Sequence, residues 1–118
     1  MLNRFNRQVY YCRRLTPEDE GYQEGIDLFE LPVLRRLNVR SVSGEAVLVS
    51  GGELSQKTLV AKLPVKNPDV YYENDRLFVY ASPPDTDSFD PADPKADYRI
   101  TSVLQGFNVV EIILERMV

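Results

Sequence analysis

Asp85, Asp87, Asp90 and Asp93 recur every two or three residues in the stretch SPPDTDSFDPADPKAD, residues 82–97. Such spacing invites a calcium reading, because a hard cation is held by several carboxylate oxygens converging on one point. An EF-hand loop begun at Asp85 would need an oxygen ligand at its fifth position and a glycine at its sixth, and the chain offers Phe89 and Asp90 there. The motif fails, which leaves a solvated or partner-facing segment. Five aspartates against one lysine give it a charge of −4, equal to the net charge of the whole chain. Four prolines restrict its backbone and remove ladder donors. The expectation is an extended, exposed excursion that stays out of the core.

Arg35, Arg36 and Arg40 are the cationic counterpart, and guanidinium forks suit contacts with another protein as well as ordinary solvated surface. Arg36-x-x-x-Arg40 followed by serine and glycine also resembles part of the arginine signature with which PilZ domains clasp a cyclic dinucleotide. That family's second element is not matched, because Ser41-Val42-Ser43-Gly44 lies too close and lacks the spacing. The chain contains no histidine, so an ordinary serine or cysteine triad, a histidine-bearing zinc site and a proton shuttle near neutral pH have no residue to build on. Gly51-Gly52 leads to no Lys-Ser/Thr pair and so to no phosphate loop. Glu18, Asp19 and Glu20 sit together in one turn rather than on facing elements. Cys12, the single cysteine, lies beside Arg13 and Arg14, neighbours that lower a thiol pKa, but it has no partner base and reads as a small hydrophobe in a strand. These residues predict a protein that is not an enzyme and has no cofactor.

The elements that must position these side chains read as β. At 118 residues and 43% hydrophobic, the chain suits one domain, 1–118, with one modest core. MLNRFNRQVYY carries arginines where a secretory signal needs an apolar stretch, so the expectation is a soluble product of a cytoplasm. Residues 6–15 read as a strand, TPED as a short helical turn capped by Thr16, and residues 27–50 as one or two strands broken at Pro32 and at Ser43-Gly44. Gly51-Gly52 opens a flexible connection to about Lys57, and TLVAKLPV resumes the extended pattern. Asn67-Pro68-Asp69 and Asn74-Asp75 are turns, DRLFVY and YRITSVLQ are strands, and NVVEIILERMV pairs back as the last one. The predicted fold is all-β, a small antiparallel barrel or sandwich of about six strands with a long acidic loop at 82–97. Ile100, Val103, Val110, Ile112 and Leu114 form the expected buried set of the terminal hairpin.

Four segments occur in an order that resembles the small head-tail joining proteins of long-tailed bacteriophages, the connector or head-closure family. They are Leu37-Asn38-Val39-x-Ser41-Val42-Ser43-Gly44-Glu45-Ala46, then Glu73-Asn74-Asp75-Arg76-Leu77-Phe78-Val79, Ala96-Asp97-Tyr98-Arg99-Ile100-x-Ser102-Val103, and Val110-x-Ile112-x-Leu114-Glu115-Arg116-Met117. The resemblance covers residues 28–118. It implies a homo-oligomeric ring in the virion neck that links portal to tail and retains packaged DNA, which passes through the channel without sequence-specific binding. The partners it implies are further copies of the chain, the portal or adaptor, and tail proteins, with no membrane. A tail-terminator role in the same class, or a ligand-binding β-barrel for a nucleotide or ion, stands beside it. The acidic loop then has two settings: facing the lumen it lets DNA slide, and facing outward it engages arginines of a neighbouring ring. The bland alternative is a solvated spacer.

Overall fold

A computed structural model describes residues 6–41, 48–50, 53–55 and 57–117. Among these residues eight strands follow in chain order: β1 (Asn6–Cys12), β2 (Val33–Ser41), β3 (Leu48–Ser50), β4 (Glu53–Ser55), β5 (Thr58–Pro64), β6 (Arg76–Phe78), β7 (Tyr98–Gln105) and β8 (Val109–Arg116). Six of them close into an antiparallel barrel in the order β1-β2-β5-β8-β7-β6, and β3 and β4 pair separately as a two-stranded ribbon between β2 and β5. The only helical element among the described residues is a 3₁₀ turn at Thr86–Ser88.

Period-two patterning explains the closure, since alternate residues of a strand face alternate sides of the sheet. In β5, Leu59, Ala61 and Leu63 are buried and Lys62 is exposed. In β2, Leu37 and Val39 point inward between exposed Arg36 and Arg40. With Val9 and Tyr11 of β1, Leu77 and Val79 from β6 and its end, Tyr98 and Ile100 of β7, and Ile112 and Leu114 of β8, they fill the interior as one cluster.

Strict alternation is broken in β7. Ile100 pairs with Leu114 but Ser102 pairs with Ile113, leaving Thr101 as the extra residue of a bulge. The bulge shifts the face by one step, so Val103 packs against the core on the same side as Ile100. This is why Ile100 and Val103, an odd number of residues apart, belong to one buried set.

Several local expectations are corrected. β1 ends at Cys12 rather than Leu15, because the chain there leaves the barrel for a polar arm, residues 13–32. TPED forms a turn and not a helix: the Asp19 N–H donates to the Thr16 carbonyl at 2.9 Å, while the Asp19 carboxylate accepts the Thr16 N–H at 2.7 Å and its hydroxyl at 2.9 Å. Thr16 is therefore a donor to the turn and not its cap. Glu53–Ser55 is strand β4 rather than part of a flexible connection. The start of β2 immediately after Pro32 agrees with the expected break, and the expected breaks at Ser43-Gly44 and Gly51-Gly52 lie outside the described residues.

Candidate interaction surfaces

The acidic loop departs furthest from its expected form. Phe89 and Ala96 pack against a second cluster made by Cys12, Phe29 and Phe78, on the outside of β1 and β6. Pro94 is buried, and the Phe29 N–H donates to the Pro91 carbonyl at 3.0 Å. Asp97 accepts three backbone N–H groups just past β6, from Val79 at 2.8 Å, Tyr80 at 2.8 Å and Ala81 at 3.1 Å. The loop is thus laced to the barrel wall. Its apolar residues, interleaved with the acids, make the difference: the chain turns Phe89, Pro94 and Ala96 inward and leaves Asp85, Asp87, Asp90 and Asp93 in solvent.

Those four aspartates do not converge. Asp90 accepts the Ala92 N–H at 3.0 Å and Asp93 lies 3.1 Å from the Lys95 ammonium. Among the described residues no group of three or more histidine, cysteine, aspartate or glutamate side chains is placed to hold a metal ion.

Beside the loop runs the arm of residues 13–32, tied to itself by the Arg14–Phe29 bridge and by bonds of 2.8 Å from Leu15 N–H to Leu28 and from Glu30 N–H to Arg13. Arg13 holds both Asp19 (2.9 Å) and Glu30 (2.5 Å), and Arg14 reaches Asp27 at 3.4 Å. The Arg13 guanidinium, aided by the Thr16 N–H and hydroxyl, keeps the Asp19 carboxyl far below the usual carboxylate range. Six acids against two arginines give this arm the same −4 as the loop. The two excursions meet at Phe29 and Pro91, so one side of the molecule gathers a strongly negative surface.

The arginines of β2 separate into two roles. Arg35 faces inward near the barrel end: its guanidinium carbon stands 5.8 Å from the Tyr11 ring centroid, and its Nε lies 3.8 Å from the Asp69 carboxylate. Arg36 and Arg40 lie on the outer face with Asn38 between them, and Lys62 of β5 pairs directly opposite Asn38. These four side chains, with Asn67, Asn108 and the apolar Pro64 and Val109, line a groove of about 510 Å³. Within it Arg40 donates to the Asn38 side-chain oxygen at 3.3 Å and Lys62 lies 3.6 Å from Glu111. The sequence alone does not single out Lys62. Its outward phase is legible in the alternation of TLVAKLP, but its place between the two arginines depends on strand pairing.

Cys12 is fully buried at 0% exposure. Burial first, and then the charge of Asp75, pushes its thiol up to about 12, with Arg76 opposing. Cys12 is thus the small buried strand residue expected from the sequence, and the adjacent Arg13 turns to its acidic partners in the arm.

Compared with family models, with curated proteins and with solved structures, the chain matches none.

Proposed function

We propose that this chain is a structural ring component of a tailed-phage neck, a head-tail connector or head-closure protein that links portal to tail and helps retain packaged DNA. It works by assembly and not by catalysis, in the virion, after synthesis in the host cytoplasm. The observation that carries the reading is the closed barrel. Three of the four segments that resemble the connector family supply β6, β7 and β8, which are contiguous in the barrel wall, and the other enters through β2. The closed barrel itself has no free edge for strand addition, so its wall offers copies and partners side chains and loops, where this chain concentrates its charge.

Negative-stain imaging of the purified full-length chain, alone at high concentration and mixed with a portal, tests the reading. Rings, or a stable complex with the portal, are the expected result. A chain that stays monomeric and binds no portal or tail protein overturns it.

A further inference from the structure

The barrel carries a basic groove on the outer face of β2 and β5, and an acidic loop that leaves β6, packs on the outside of β1 and β6, and returns at β7. The loop is held there by Phe89 and Ala96 on the Cys12–Phe29–Phe78 cluster, by the Phe29 N–H to the Pro91 carbonyl, and by Asp97 on the N–H groups past β6. We propose that the basic groove across β2 and β5 seats the turn bearing Asp85 and Asp87 of a second copy of this chain, joining copies head to tail. The inference rests on the ring reading above.

The chemistry of the two surfaces selects these residues. Arg36 and Arg40 share the outer face of one strand, about 13 Å apart along the backbone at the usual strand rise, and Lys62 enters between them from the next strand. On the loop, Asp90 and Asp93 are engaged by Ala92 and Lys95, and Asp97 is spent on backbone N–H groups. Asp85 and Asp87 flank the start of the Thr86–Ser88 turn, which buries none of its residues. Two solvated carboxylates on a short turn meet a groove in which Arg36, Arg40 and Lys62 outnumber Glu111, an acid placed against it at 3.6 Å from Lys62, a match in which arginine forks give both attraction and orientation. Within one chain the loop is laced to the outside of β1 and β6 by Phe89, Pro91, Ala96 and Asp97, so the turn that enters the groove comes from another copy. Because the two patches differ, the contact is heterologous, the type that generates a ring when the rotation closes.

Sedimentation velocity of the full-length chain across a concentration series, at low and high salt, reads the contact. Arg36→Glu with Arg40→Glu, and separately Asp85→Arg with Asp87→Arg, are each expected to weaken self-association by about tenfold or more. The chain carrying all four reversals is expected to recover it, and high salt to weaken the parent contact. Recovery by the four-fold variant also answers misfolding, since it contains every substitution of the weak ones. Association undiminished by either reversal overturns this contact while leaving the ring reading in place. A parent chain that neither self-associates nor binds a portal overturns both. If the parent binds a labelled DNA duplex and the Arg36→Glu/Arg40→Glu chain does not, the groove takes phosphate instead, and the inference fails.

Discussion

The hydroxyl of Tyr11 donates a hydrogen bond to the carboxylate of Asp75, joining β1 to the turn that precedes β6. Asp75 is 1% exposed and also accepts the Arg14 N–H at 2.9 Å and the Tyr72 N–H at 3.1 Å. Its own N–H and carbonyl engage Tyr72 (3.3 Å) and Ile100 (2.9 Å), so one residue ties β1, the 72–75 turn and β7 together. Asn74, with φ of 73°, makes the left-handed step that turns the chain into this position.

Tyr11→Phe keeps the ring and removes the donor, leaving a buried carboxylate with one partner fewer. The expected loss is about 1–3 kcal/mol in urea unfolding. An unchanged midpoint would mean that this bond contributes nothing to the fold.

Asp75 should also leave a signature in pH. Burial raises its pKa in the folded state, outweighing the hydrogen bonds from Tyr11, Arg14 and Tyr72 that lower it. The folded chain therefore holds this proton more tightly than the unfolded one. That contribution is fully present below the unfolded carboxylate value, near about pH 4, and is lost as pH rises through the folded value. Asp19 behaves oppositely, its depressed pKa giving a contribution that is lost on acidification. Comparing the parent with Asp75→Asn cancels Asp19: the cost of the substitution is expected to shrink as pH climbs from about 4 toward neutrality. A cost that grows over that range contradicts the raised pKa.

The loop separates structural from surface acids. Asp97→Ala strips the acceptor from three N–H groups past β6 and is expected to cost about 1–3 kcal/mol. Replacing Asp85, Asp87, Asp90 and Asp93 together by asparagine removes four exposed charges and should leave the melting temperature nearly unchanged. The reverse ranking in thermal melts would refute this division.

Ile112 is 0% exposed in the barrel core. Ile112→Ala is expected to cost about 2–5 kcal/mol, whereas Phe107→Ala, at a β7–β8 hairpin tip 94% exposed, should be near neutral. Equal effects at the two sites would place the core elsewhere.

The Cys12 thiol, buried and shifted upward, should resist a thiol reagent in the native chain at pH 8 and react promptly after unfolding, since the thiolate is the nucleophile. Rapid native labelling would indicate that the cluster around Phe29 and Phe78 opens readily.

Much of the barrel is local information. Alternation in TLVAKLP and in the terminal hairpin sets which side chains face inward, Pro32 marks the start of β2, and Asn67 and Asn74 sit in the turns their side chains favour. A run of acids and prolines, by contrast, reads as solvent only while its apolar residues lack a surface to meet. Cys12, Phe29 and Phe78 come from three separate parts of the chain, and only when β1 and β6 pair do they form the patch that takes Phe89 and Ala96.

The candidate site divides the same way. The sequence by itself determined the all-β class, the composition that gives histidine chemistry nothing to work with, and the charges of Arg36, Arg40 and the loop aspartates, because each follows from residue type and a period of two. Alternation also puts Arg35 in phase with Leu37 and Val39, but tertiary structure alone decided that Arg36 and Arg40 share a groove with Lys62, that Asp97 is a structural acceptor while Asp85 and Asp87 remain on the surface, and that Asp75 is buried. The physical reason is register. Which residues stand opposite one another, and where a bulge such as that at Thr101 shifts the face, depend on pairing between strands far apart in the chain and on the shape of the closed core, neither of which any local window contains.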